Sequence, residues 1–320
     1  MRVSTAQIFD SGTMGIQNNQ SSLFKTQNQL STGRRILTPA DDPVGATQAL
    51  VVTQSKQINA QYLENQDEAR SHLNLLESNL SGVTEELQNI FERAVQAGGG
   101  TLGTSDRSMI ATELQARLLN LQSLANAQDG TGQYLYSGFQ TQVKPFDLTG
   151  NPGVGAPPTF SLGGQQYISY SGDEGRRKLA VDASVDVDIN LTGSEVFMRV
   201  KDSSGNLTGR SLFDSVQNLI SNLQSANFSR TSYDQSLSDL QSSMDNISRA
   251  RATVGTNLNA LDGLTNTGND LKLQYEQRLS ELQDLDYAKA ISDLSRQQMQ
   301  LEAAQKSFAQ ISQLSLFNVI

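Results

Sequence analysis

Residues 69–97 read ARSHLNLLESNLSGVTEELQNIFERAVQA, and within them Ala69, Leu73, Leu76, Leu80, Val83, Leu87, Ile90 and Ala94 alternate steps of four and three. That spacing holds every apolar side chain on one face of a helix wound against another helix. It predicts one long helix over 46–97. Gly98, Gly99 and Gly100 then halt it, because three consecutive residues without Cβ atoms gain little from staying helical. A new helix is expected from Ser105 and Asp106, residue types suited to an N-cap. Ile110, Leu114, Leu118, Leu121 and Leu124 give it an apolar face, and it is expected to end around Asp129 and Gly130.

A matching stripe lies far downstream. Tyr233, Leu237, Leu240, Met244, Ile247, Arg251, Val254, Leu258 and Leu261 repeat the four–three pattern, with Arg251 the one polar member. Leu73 to Ile90 and Leu237 to Leu261 are therefore read as the intramolecular core of a helical bundle. The two ends carry thinner stripes, Ile16, Leu23, Leu30 and Leu37 at one and Tyr287, Leu294, Leu301 and Phe308 at the other, each recurring every seven residues among Gln, Asn and Ser. These thin stripes are read as subunit-packing surfaces. From Val143 to about Gly193, Pro and Gly become dense (GNPGVGAPP) and short alternating runs, QYISYSG and KLAVDASVDVDINL, suggest strands.

The fold class expected is mainly α: an elongated antiparallel helical bundle or coiled coil, built from N- and C-terminal arms, with a small β-rich insert. Three domains are expected. Residues 1–45 with 270–320 form a terminal assembly domain, disordered in the monomer. Residues 46–140 with 205–269 form the long-helix bundle, and 141–204 the insert. The first carries too few large apolar side chains to offset the cost of ordering its backbone unless other helices cover it.

Composition narrows the function. The 320 residues carry 24 basic and 33 acidic side chains, a formal net charge of −9, which argues against non-specific nucleic-acid binding. There is no cysteine, so disulfides, thiolate metal sites and cysteine nucleophiles are excluded. His72 is the one histidine, which excludes multi-histidine metal sites. No run approaches the ~20 apolar residues of a membrane span. The opening MRVSTAQIFDSG lacks the apolar core of a secretory signal. Charged residues make up only 18%, while Gln (33) and Asn (22) fill the polar positions, a composition suited to long helices that complete their burial with partners. No cofactor or metal site is expected.

The connection QLSTGRRILTPADDPVGATQAL, residues 29–50, has a physical reading of its own. Gly33 ends a helix. Arg34 and Arg35 place positive charge near that C-terminus, and Pro39 breaks the helical run. Asp42 is an N-cap followed by Pro43 at the first helical position, where a missing N–H costs nothing. Asp41 and Asp42 could also be a general acid–base couple or a cation site, but with no ligand cluster nearby they are read as loop and cap. His72, one position before Leu73, is read as an ordinary neighbour of the seam. Gly98–Gly100 lacks the Lys-Ser/Thr of a phosphate loop. Asn-x-Ser/Thr triplets at Asn190 and Asn206 occur by chance at this frequency.

The connection also resembles the N-terminal signature of bacterial flagellins, and LSTGRRILTPADDP is most similar to the family of hook–filament junction proteins, the hook-associated proteins 3. The opening MRVST, QNNQSSLFKTQNQLSTG, GTGQYLYSGFQTQVKPF (130–146), ISRARATVGTNLNALD (247–262), DLDYAKAISDL (284–294) and the ending SFAQISQLSLFNVI resemble the same family, in family order. Together they cover about 1–146 and 195–320. The resemblance implies a non-enzymatic structural adaptor between the hook-associated ring and the flagellin filament. It implies export through the flagellar type III apparatus to an extracellular flagellum, and assembly by docking of paired terminal helices. Its implied partners are adjacent copies in a ring, the neighbouring hook-associated adaptor protein, flagellin, and an export chaperone bound by a C-terminal region (about 270–320, including Leu294, Leu301 and Phe308). Neither nucleic acid nor membrane is among them. It also raises Arg34 and Arg35 as subunit contacts, and Gly33, Asp41 and Asp42 beside them are counted with the assembly residues. The rival within the superfamily is flagellin itself, disfavoured by PADDP, YLYSGF and LSLFNVI. A secreted cell-wall hydrolase, which would need a second acid at a defined spacing, and a coiled-coil signalling protein, which would normally bring a membrane span, are the rivals from other classes.

Overall fold

The computed structural model describes residues 5–99, 102–149, 167–201 and 205–317. The proline-rich GNPGVGAPP and the extreme termini fall outside them. In chain order the elements are α1 (Thr5–Thr32), α2 (Pro43–Ala97), α3 (Thr104–Ala125), β1 (Phe146–Thr149), β2 (Tyr167–Tyr170), β3 (Lys178–Asp182), β4 (Val185–Asp188), α4 (Gly193–Phe197), α5 (Leu212–Gln224), α6 (Arg230–Gln283) and α7 (Tyr287–Phe317). The fold is mainly α with a small β region in the middle. The chain divides into a terminal unit, Met1–Ala60 with Asn269–Ile320, and a central unit, Gln61–Gly268.

The central unit is organised by the two dense stripes. Ala69, Leu73, Leu76, Leu80, Val83, Leu87, Ile90 and Ala94 of α2 are all fully buried. From α6, Tyr233, Leu240, Ile247, Val254 and Leu261, seven residues apart, are fully buried, while Leu237, Met244 and Leu258 are half-buried at the margin of the same core. The helices run antiparallel. Thr265 Oγ1 donates to Gln66 Oε1 at 3.0 Å, Arg70 pairs with Asp262 at 2.9 Å, and Tyr233 Oη donates to the Ala94 carbonyl at 2.7 Å. Arg251 breaks the apolar pattern because it reaches across to Glu77, at 2.6 Å.

Two features depart from expectation. Helix α3 starts at Thr104, not at Ser105 or Asp106. Asp106 sits at the third helical position, and its carboxylate accepts from the Gly103 N–H at 3.2 Å, so it caps the turn from inside. The helix also stops at Ala125, four residues before Asp129. There Asn126 turns back, accepting from the Phe146 N–H at 2.9 Å and tying the helix end to β1. The other departure is α5, which the sequence reading missed. It packs on α3 through Leu212, Phe213, Val216, Leu219, Ile220 and Leu223, and opens with a reciprocal Ser211–Asp214 capping box.

The β region is two antiparallel hairpins, β1–β2 (Phe146 opposite Tyr170) and β3–β4 (Lys178 opposite Asp188). Two-stranded hairpins are marginal alone, and both lean on helices. Asn65 and Gln66 of α2 donate to the carbonyls of Ala180 and Val181, each at 2.7 Å. An aromatic cluster of Tyr136, Phe146, Tyr170, Phe197 and Phe213 joins β1–β2 to α4 and α5, with neighbouring ring centroids 5.1–5.7 Å apart. Gly193 fits between two of these rings: a Cβ there would lie 2.6 Å from Tyr170 and 2.7 Å from Phe146. Tyr136 is fully buried, its hydroxyl donating to Asn79 Oδ1 at 2.6 Å, and burial pushes its ionisation well up.

In the terminal unit α1 and α7 pack antiparallel. Phe9 meets Phe308 edge to face at 5.4 Å, and Gly12 makes room for the same ring, since a Cβ would sit 2.6 Å from it. Near the other end Gly33 lies beside the Tyr287 hydroxyl.

Candidate assembly interface

The thin stripes leave the terminal unit open. Ile16, Leu23, Leu30, Leu37, Leu294, Leu301 and Phe308 are half-buried, and Tyr287 is 53% exposed. Among the described residues its only fully buried hydrophobic side chains are two alanines, Ala49 and Ala290. Among the described residues, eleven of the nineteen exposed large hydrophobic side chains belong to this smaller unit, including Met14, Phe24, Val44, Leu50, Leu273 and Met299. Apolar side chains on this scale, in a unit without a core, form a surface that further helices can cover.

What fixes the unit locally is the connection between α1 and α2. Gly33 leaves α1 at φ +69°, a left-handed conformation that Gly adopts without penalty, and its N–H donates to the Gln29 carbonyl at 2.8 Å. Asp42 caps α2: its Oδ1 accepts from the Gly45 N–H at 2.8 Å, one turn in, with Pro43 between. Asp41 accepts from the Leu37 and Thr38 N–H groups at 3.1 and 2.9 Å and pairs with Lys25 of α1 at 2.7 Å. Lys25 and these amides hold the Asp41 carboxyl down at about 2. The Gly45 N–H, and after it Arg35, lower that of Asp42. Both side chains are thus held as anions by structural partners, an arrangement unsuited to a proton-exchanging couple.

Arg35 goes somewhere the sequence did not indicate. Instead of serving the end of α1, its Nη2 donates to the Leu282 carbonyl at 2.8 Å, in the last turn of α6, while Nη1 pairs with Asp42 at 3.2 Å. The backbones join as well: the Arg35 N–H donates to the Gln283 carbonyl at 2.7 Å and the Leu285 N–H to the Gly33 carbonyl at 3.0 Å, around an antiparallel bridge between Arg34 and Asp284. Gln29 Nε2 donates to the Arg35 carbonyl at 2.6 Å. Asp286 then caps α7, accepting from the Lys289 N–H at 3.1 Å. Residues 29–45 and 280–289 form one clasp, with the Arg34 side chain exposed at its surface.

Sequence reading missed Lys25, Gln29 and Asp286 as members of this arrangement, and Gly12 against Phe308 at the other end of α1. Asp286, an N-cap type before a helical run, was there to be found. The partners of Lys25 and Arg35 depend on the tertiary fold. Two other singled-out positions have local roles. His72 is half-buried, near enough to Asp129 to help lower its carboxyl, although the main lowering comes from the hydroxyl and amide of Thr131 and the amide of Gln133, against the cost of burial. Gly98 lets the Tyr233 ring close over the end of α2, and Arg230 donates to its carbonyl at 3.1 Å.

Known proteins fit this description. Residues 3–141 match the bacterial flagellin N-terminal helical region and residues 237–320 its C-terminal helical region. Flagellar hook-associated protein 3 of Escherichia coli strain K12 is 32% identical over 332 aligned positions, spanning 100% of this chain and 99% of that protein. A solved flagellar hook-associated protein from Vibrio parahaemolyticus superposes with a TM-score of 0.63 at 26% identity, covering 76% of this chain and 100% of that one. The flagellar junction protein FlgL from Legionella pneumophila shares the fold, with a TM-score of 0.60 at 22% identity over 74% of this chain and 100% of that one. Phase 1 flagellin of Salmonella naestved aligns at 31% identity over only 40% of this chain and 26% of its own length.

Proposed function

Since this chain belongs to the flagellar hook-associated protein 3 family, within the flagellin superfamily, we propose that it is the structural adaptor joining the hook-associated ring to the flagellin filament. The observation that carries the mechanism is the terminal unit: paired helices without a core, bearing large exposed apolar side chains beside a rigid clasp. In the free chain these helices are weakly held. They order when the equivalent helices of neighbours cover Ile16, Leu23, Leu30, Leu37, Leu294, Leu301 and Phe308, together with the exposed Tyr287, so the cost of ordering is met only in the assembly. Successive subunits of a tube meet through unlike surfaces, so the contact is heterologous and sets a rotation rather than a two-fold.

Copies lie side by side in a ring, with a hook-associated adaptor protein on one side and flagellin on the other. The chain leaves the cell through the flagellar type III apparatus and works outside it. A chaperone covers the C-terminal arm, 270–320, until then. The central helices 46–140 and 205–269 act as a rigid strut carrying the insert at 141–204, and the chain does no catalysis. Gly33, Arg35, Asp41 and Asp42 set the exit direction of the terminal helices, while the exposed Arg34 faces a neighbour. The limited alignment with flagellin favours the junction over the filament.

Deleting the gene in its motile host tests the proposal. Bare hooks by electron microscopy, with unpolymerised flagellin in the medium and rescue by the intact gene, are the expected result. Loss of flagellin alone would point to the filament subunit. Normal filaments and swimming would overturn the reading.

A further inference from the structure

The central unit distributes its charge unevenly. A hollow of about 410 Å³ opens between α6 and the segment after α4, and a second of about 510 Å³ adjoins it, the two sharing Lys201, Gly205 and Arg249. The α6 wall runs from Ser238 to Thr253 at helical spacing, so the trough extends for roughly 22 Å. Arg199, Lys201 and Arg249 line it, and none of the three forms an ion pair among the described residues. Arg176, by contrast, is neutralised by Asp188 at 3.0 Å and Glu195 at 2.7 Å. Among the described lining residues Asp245 is the one further acid, midway along the α6 wall and one turn from Arg249. Three cations without an ion pair, facing one acid in a chain of net charge −9, are a local excess suited to an anionic complement.

The same unit carries such a complement elsewhere. Glu64 and Glu68 lie one turn apart on α2, and between them Asn65 and Gln66 bolt the β3–β4 hairpin to the helix. Asp182 and Asp186 of that hairpin are exposed, as are the two glutamates, and none of the four pairs with a cation among the described residues. Within one chain the two patches cannot neutralise each other. Gln66 sits opposite Thr265, twelve residues beyond the end of the trough at Thr253, which is about 18 Å of helix. Each patch also has an exposed aliphatic side chain beside it, Leu207 at the trough and Val185 at the hairpin tip.

We propose that the trough of one copy receives the acidic β3–β4 corner of the next copy, a head-to-tail contact between central units. It rests on the assembly reading above and adds a second, polar interface to the apolar one made by the terminal helices. Complementary charge of this kind fixes register and orientation more than it adds affinity, and unlike surfaces meeting in this way propagate around a ring.

The absence of native cysteine permits a clean test. Chains carrying only Asp186→Cys are co-expressed with chains carrying only Lys201→Cys, and isolated flagella are oxidised. Disulfide-linked dimers should appear at least tenfold above either variant alone, and adding Arg199→Glu and Arg249→Glu to the Lys201→Cys chain should cut them at least tenfold. Both variants present in flagella with normal filaments, but without dimers, would overturn the contact. The pair Asp182→Cys with Arg249→Cys gives a second readout should one of the first variants fail to incorporate, and absence of dimers there too would be decisive. Absence of the unaltered chain from purified flagella would instead overturn the assembly reading on which the contact depends.

Discussion

The terminal and central units are built from the same material, long helices with heptad stripes, yet only one of them closes. In the central unit each α2 stripe residue from Ala69 to Ala94 is fully buried, in one cluster with residues of α3, α5, α6 and the β region. In the terminal unit residues of the same kind stop at half-burial, and Phe24, Leu50 and Met299 stay more than half exposed. The difference is not hydrophobicity residue by residue. A stripe recurring every seven residues covers half as much of a helix face as one stepping four and three, so two thin stripes cannot exclude water from each other. The central unit closes a core of its own, and the terminal unit leaves its apolar surface open.

The contrast should be widest in amide exchange. In dilute monomer the backbone amides around Leu80 and Ile247 should exchange about a thousandfold more slowly than those of residues 5–37, because local opening free energies run from near zero up to that of global unfolding. Uniform strong protection would erase the distinction. Next in size, Phe197→Ala, which opens the aromatic cluster, should cost about 3–5 kcal/mol in chemical denaturation. Leu23→Ala should cost under ~1 kcal/mol in the monomer, where the side chain is only half covered, yet sharply reduce the fraction of cells with filaments. Equal costs in the monomer would mean that the terminal unit is no less closed.

Smaller changes probe the clasp. Gly33→Ala places a Cβ at positive φ, 2.9 Å from the Tyr287 hydroxyl, and should destabilise the terminal unit by about 1–2 kcal/mol in thermal melts of concentrated protein. The Asp41 carboxyl is lowered from 3.8 to about 2 in the folded clasp, so the folded form binds a proton less readily than the unfolded chain. Its contribution is complete above about pH 4 and lost as the pH falls towards 2. The Thr38 amide resonance of concentrated protein should report that transition, and Asp41→Asn should remove it. The smallest effect is expected at the exposed Arg278–Glu281 pair, where Glu281→Gln should change stability by less than ~0.5 kcal/mol, as measured by denaturant titration.

Periodic features were legible in the sequence because periodicity is a property of neighbours along the chain. The α2 and α6 stripes, the Asp42–Pro43 start and the Gly33 stop all follow from residues within two turns of one another. Helix α5 was legible in principle, since Ser211 and Asp214 have capping-box spacing before an apolar repeat, but the dense stripes on either side drew the reading past it. The strand Phe146–Thr149 is too short to announce itself and exists because Tyr167–Tyr170 pairs with it. Arg251 looked like a flaw in a stripe until Glu77 appeared opposite it. The acceptor for Arg35 lies 247 positions away, beyond any local pattern.

That separation has a consequence for chains that are cut short. The Arg35 amide finds its acceptor at Gln283, the Gly33 carbonyl finds its donor at Leu285, and the guanidinium adds Leu282 to its nearby partner Asp42. A fragment ending before residue 282 can still build the α2 stripe, but its first helix has no fixed exit. The clasp thus acts as a completeness check on the end of α6 and the turn after it, which must be present before the exit of α1 is fixed.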